Sequence, residues 1–218
     1  MKINKLTQAA LITVVLALGV APARAALVLT LDAGGGNVVT VSGANSAFWM
    51  GNLGGWTMSL GLTSSNSPGD GSGVATMHLN SYSGTWTGPG AGTLKITAED
   101  TTGWTNPTGA LTGISNVGGV LAPGATVSFS SFVGGLQLAA LGPYSAGGAS
   151  ASFQGEAQGP VNVASGYGIK EEALLTQQAA NSFQSSFDFV TTVPEPALLG
   201  LFGLGLVGLG FARRRKAA

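Results

Sequence analysis

From residue 26 to residue 192 the chain alternates apolar and polar positions in short runs divided by turn residues. The runs are ALVLTL (26–31), NVVTVS (37–42), WTMSLGL (56–62), VATMHLN (74–80), TLKITA (93–98), ATVSFSSFV (125–133), SASFQ (150–154) and SFQSSFDFV (182–190). Each shows either the period of two that sends successive side chains to opposite faces of a strand, or β-branched and aromatic content. The separators DAGGGN, NSPGDGSG and GPGAG are turn chemistry. Many short strands with glycine-rich turns predict an all-β fold, an antiparallel β-sandwich or jelly roll. KEEALLTQQAAN (170–181) holds helix formers over a useful length and reads as a helix or an edge strand. Segment 103–124 has little pattern and reads as a large surface loop or two poor strands.

The two ends break this rhythm. Lys2 and Lys5 precede an apolar run from Ala9 to Val20, and Ala23-Arg24-Ala25 supplies small residues where a signal peptidase reads. Residues 1–25 are therefore expected to be a signal peptide, and 26–192 an exported β-rich domain. At the other end Ala197 to Ala212 carries no charge until Arg213, Arg214, Arg215 and Lys216 close it. As a helix that run would reach about 24 Å against a hydrocarbon core of about 30 Å, enough for a single short transmembrane helix. The four cations would stay cytoplasmic and act as a basic stop, which leaves the domain outside. In front of the run, Pro194 and Pro196 hold Val193 and Glu195 extended, so Val193, Pro194, Glu195 and Pro196 are expected to stand at the membrane surface as open backbone.

The VPEP tetrapeptide, the apolar Gly/Leu run and the terminal RRRK together resemble the PEP-CTERM sorting signal. The resemblance covers residues 193–218 only. It implies a protein of a Gram-negative bacterium that is exported, anchored transiently in the inner membrane, cleaved by an exosortase and left at the cell surface or in the exopolysaccharide matrix. It implies nothing about the domain. The G-x-G-x-x-G match at Gly203 to Gly208 falls inside this tail, where no βαβ unit follows, and is an accident of composition.

Charge and composition narrow the domain's chemistry. Between residues 26 and 192 two lysines, Lys95 and Lys170, face eight carboxylates, a net charge of −6. Such a surface lacks the cations that replace counterions on nucleic acid, which excludes nucleic-acid binding. The chain has no cysteine, so an exported domain must take its order from its core. His78, the single histidine, sits between Met77 and Leu79 and should leave a strand by its polar face. No G-x-S-x-G, H-E-x-x-H or cysteine nucleophile is present, and no cofactor is implied. Asp70, or Glu99 with Asp100 in a turn after a strand, could offer oxygens to Ca²⁺, but no EF-hand or related repeat supports a metal site.

Of Trp49, Trp56, Trp86 and Trp104, Trp56 reads as core, whereas Trp86 and Trp104 lie among Gly, Thr and Asn and are the candidates for an exposed sugar-stacking face. The leading expectation is a non-enzymatic structural or adhesive component of exopolysaccharide or biofilm. Its partners are signal peptidase, exosortase and exopolysaccharide. A carbohydrate-binding module is the alternative, and a degradative enzyme using two of the carboxylates comes third.

Overall fold

The computed structural model describes residues 26–67, 74–100, 103–105 and 108–194. The expected signal peptide, Asp70, Glu195, Pro196, the apolar run and the basic stop lie outside them. Among the described residues twelve strands follow in chain order: β1 (Leu27–Asp32), β2 (Val38–Gly43), β3 (Ser46–Leu53), β4 (Trp56–Ser65), β5 (Val74–Trp86), β6 (Gly92–Asp100), β7 (Gly109–Leu121), β8 (Ala125–Val133), β9 (Leu136–Ser145), β10 (Ala151–Val163), β11 (Ile169–Gln177) and β12 (Ser185–Pro194). They form two six-stranded sheets, β2-β1-β6-β11-β8-β9 and β10-β7-β12-β5-β4-β3, in which every pairing is antiparallel. The two inner faces share one core, as the all-β expectation requires.

All eight runs read from the sequence fall on strands, the last of them only from Ser185 onward. Strict alternation carries β8, where Ala125, Val127, Phe129, Ser131 and Val133 are buried and the residues between them are not. Two readings need correction. Residues 170–181 are neither helix nor edge: β11 lies mid-sheet between β6 and β8, and Glu171 fills an inward position among Ile169, Ala173 and Leu175. Within segment 103–124, residues 109–121 are neither loop nor two poor strands but one 13-residue strand, β7, between β10 and β12.

The strands run up and down between two ends of the sandwich. Leu27 pairs with Asp100, whose carboxylate accepts a 2.5 Å bond from Ser65 across the sheets. Ser65 pairs with Met77, and two residues earlier in β5 Ala75 pairs with Val193. The start of β1 and the end of β12 thus share one end, here called proximal, while Trp56 and Trp86 pair at the distal end.

Side chains sort along this axis. The middle and distal interior is apolar and aromatic: Phe129 lies 5.0 Å from Phe187 and 5.2 Å from Phe189 between ring centroids. The proximal half adds polar side chains to its apolar ones. Ser115 of β7 bonds Ser131 of β8 at 2.7 Å and Thr191 of β12 at 3.2 Å, so a hydroxyl chain crosses the core. Beside it the fully buried Glu171 reaches from β11 to β5, where its Oε2 accepts the Leu79 N–H at 2.9 Å. That N–H borders the bulge where the β5–β12 register breaks between Phe187 and Phe189. The carboxyl therefore supplies an acceptor at an irregular point of the ladder.

Candidate functional site

The features that bear on function gather at the proximal end. β12 is a central strand, paired with β5 on one side and β7 on the other. Val193 is fully buried and pairs with Ala75, and Pro194 pairs with Val74. The expectation of open backbone across Val193-Pro194-Glu195-Pro196 is thus corrected for its first half. Val193 is a core residue of the sandwich, and the strand continues through Pro194, past residue 192. Alternation explains this: Phe187, Phe189, Thr191 and Val193 share the inward face, a period the prolines do not interrupt until Pro194.

The tryptophans are corrected as well. Trp104 is fully buried at the proximal end, stacked on Tyr167 at 5.9 Å, with its Nε1–H donated to Asn66 Oδ1 at 2.9 Å. Trp86 is buried at the distal end, 5.2 Å from Trp56, and donates its Nε1–H to the Gly90 carbonyl at 3.0 Å. They plug opposite ends of the sandwich and form no shared sugar-stacking face. The neighbouring glycines that suggested exposure instead make room for the ring: a Cβ at Gly92 would stand 2.5 Å from Trp86.

Glu99 and Asp100 lie within β6 rather than in a turn after it. Alternation turns Asp100 inward to Ser65 and Glu99 outward, so the two carboxylates do not converge on one ion. His78 is half-buried on the outer face of β5, as its neighbours predict. Burial lowers its pKa, and the nearby charge of Asp188 partly opposes that.

A cleft of about 400 Å³ opens at the same end, lined by Glu99, Asp100, Phe132, Gly135, Gly168, Ile169 and Lys170. Register sets its chemistry, since Lys170 pairs with Glu99 on one side and Phe132 on the other. The Lys170 Nζ sits 4.2 Å from the Phe132 ring centroid and 3.1 Å from Glu172 Oε1, which Lys95 also approaches at 3.2 Å. Burial alone would raise the Glu172 carboxyl, but the two lysines outweigh it and hold the group below its ordinary value. The cleft offers one ring, one ammonium and one exposed carboxylate, a set suited to holding a polar ligand. Sequence reasoning missed it because Phe132, Glu99 and Lys170 lie far apart along the chain and meet only through strand order.

The deciding comparison concerns the chain that leaves this end. Residues 192–216 match the PEP-CTERM protein-sorting motif. The tail is a PEP-CTERM sorting motif. It implies exosortase processing and export to the cell envelope or surface, and it overlaps the final residues of β12. No curated protein matches the chain. Among solved structures, TmCBM61 in complex with β-1,4-galactotriose is similar at 12% identity over 66% of this chain and 92% of that one, with a TM-score of 0.24. The apo form of a cyclase from Fischerella sp. is similar at 10% identity over 78% and 98%, with a TM-score of 0.30. At those scores neither likeness bears on ligand or reaction.

Proposed function

We propose that this is an exported, non-enzymatic cell-surface or extracellular-matrix protein, structural or adhesive in exopolysaccharide. In this reading a signal peptide directs export, the tail anchors the precursor transiently in the inner membrane, and an exosortase releases it. The observation that carries the reading is the direct fusion of sandwich to sorting motif. Val193 is a core residue, Pro194 ends the strand, and only Glu195 and Pro196 separate it from the apolar run. Two extended residues span less than about 10 Å, so an anchored precursor would hold its proximal end against the membrane. Before the leader is removed, the start of β1 would be tethered at the same end. The buried carboxylic groups have structural tasks: Asp100 joins β6 to β4, and Glu171 joins β11 to β5.

Intact mass of the released protein tests the reading. The expected product ends beyond Pro194 and lacks residues 197–218. Replacing Pro194, Glu195 and Pro196 by Ala should leave uncleaved precursor in the membrane. A released protein that still carries residues 197–218 would sink it.

The proximal cleft favours a second reading, a carbohydrate-binding module. A ring beside an ammonium and a carboxylate is a combination that holds sugars by stacking and hydrogen bonds. Phe132→Ala should then lower retention on the producer's own polysaccharide at least tenfold with an unchanged circular dichroism spectrum. Undiminished retention would remove this reading and leave the structural one standing.

A further inference from the structure

The sandwich has two lateral sides, each made of one edge strand from each sheet, and only one is guarded. On the guarded side β9 carries Pro143 and two breaks of register against β8, while β10 carries Glu156 and Pro160. Tyr144 of β9 stacks on Phe153 of β10 at 4.8 Å and joins the two edges to each other. Proline, charge and bulges are the devices by which sheet proteins prevent edge-to-edge pairing.

The other side has almost none of them. From Ala33 to Gly69 the sequence holds no charged residue, and β2 and β3 hold no proline. β2 pairs with β1 through all six residues without a break, and among the described residues its second edge has no strand partner. β3 has one register break against β4. Val39, Val41 and Trp49 face the core but are only partly covered by it, and Val38, Phe48 and Met50 are exposed by 52%, 55% and 69%.

We infer that the β2–β3 side is the docking surface for a second copy of this chain, joined by antiparallel pairing of the two β2 edges about a twofold axis. Charge permits this occupant here and not elsewhere on the domain. A domain of net charge −6 repels its own copies, and this side puts no carboxylate at the joint. Symmetry does the rest, because an antiparallel strand pair across a twofold axis uses one surface twice. With Thr40 opposite its own copy, Val39 meets Val41 of the partner subunit, and the half-covered inward row of β2 continues across the joint. The two β3 edges, on the same side, then lie next to each other and cover Trp49. The inference deepens the structural reading above, since a domain that joins its own kind is a building unit.

Sedimentation and cross-linking of the exported protein test it, whether that protein is cleaved or is uncleaved in detergent, so a failure of processing does not hide the outcome. The wild type should sediment as a dimer at micromolar concentration. Thr40→Glu would set two carboxylates opposite each other and should weaken association at least tenfold. Gln154→Glu, on the guarded edge, should leave association unchanged. Because the chain has no cysteine, Thr40→Cys should give a disulfide-linked dimer on mild oxidation, while Gln154→Cys should not. Thr40 is exposed, and an unchanged unfolding midpoint would show that the Glu variant is folded. A wild type that stays monomeric at all concentrations would overturn the inference, as would a dimer indifferent to Thr40→Glu or one cross-linked through residue 154.

Discussion

The distal and proximal interiors of the sandwich solve the same problem by different means. In the middle and distal interior a cluster of rings fills the space between the sheets, and non-directional burial holds them together. Proximally, Ser115, Ser131, Thr191, Glu171, Ser65 and Asp100 cross the gap with hydrogen bonds whose partners are fixed one by one. The first arrangement is expected to supply the larger share of the stability. The second holds the two sheets in one relative position, because each unpaired buried group is costly. The hydrogen-bonded end is the one where β1 starts and from which the sorting motif leaves.

Substitutions should separate the two contributions. The largest effect belongs to the ring cluster: Phe129→Ala, which empties the space among Tyr144, Phe153, Phe187 and Phe189, should cost about 3–5 kcal/mol by urea denaturation. Next comes Glu171→Ala, which strands the Leu79 N–H and should cost about 1–3 kcal/mol. An equal or larger loss at Glu171 than at Phe129 would reverse the assignment of roles.

The same carboxyl gives a pH signature. Burial pushes Glu171 well above the usual carboxylate range, and donors at Leu79 and Thr191 oppose this only in part. The folded state therefore keeps a proton that the unfolded chain releases near its ordinary pKa of 4.5. Stability from this group is fully present below that pH and is lost as pH rises toward the folded value. Measured against Glu171→Gln, which does not titrate, wild-type stability should fall with rising pH by up to about 1.4 kcal/mol per unit. His78 titrates in both proteins and cancels in the difference. A flat difference from pH 4.5 upward would show that Glu171 is ionised in the folded protein.

Smaller changes sharpen the contrast. Ser115→Ala removes the shared member of the hydroxyl chain and should cost about 1 kcal/mol, with Ser131 and Thr191 left to re-pair. Smallest is Glu172→Gln on the outer face, where the ion pairs with Lys95 and Lys170 are partly solvated. A loss of about 0.2–1 kcal/mol, diminished by added salt, is expected.

What the sequence disclosed follows the same division. Strands facing the apolar interior, such as β8 and β12, announce themselves by alternation. β11 does not, because its inward Glu171 and outward Lys170 and Glu172 look like one solvated run, and only the bond to Leu79 shows why a carboxyl belongs inside. β7 is masked by glycines that read as turns. At Gly113 a Cβ would meet the Leu138 side chain at 2.7 Å, so the glycine marks a close approach between sheets rather than a bend. Of the candidate site, the sorting motif was legible because it is local in sequence. The cleft was not, since strand order assembles it, and neither was the burial of Val193, which depends on the neighbours of β12.

The central position of β12 has a mechanical consequence. A load applied through residue 195, from a membrane that drifts or a matrix that swells, would pull β12 along its own axis. Hydrogen bonds to β5 and β7 run across that axis, so the load would shear both ladders at once instead of opening one bond at a time. Had the tail left from an edge such as β3 or β10, the same tension would peel a strand away. The sandwich is thus gripped by a strand that resists being drawn out.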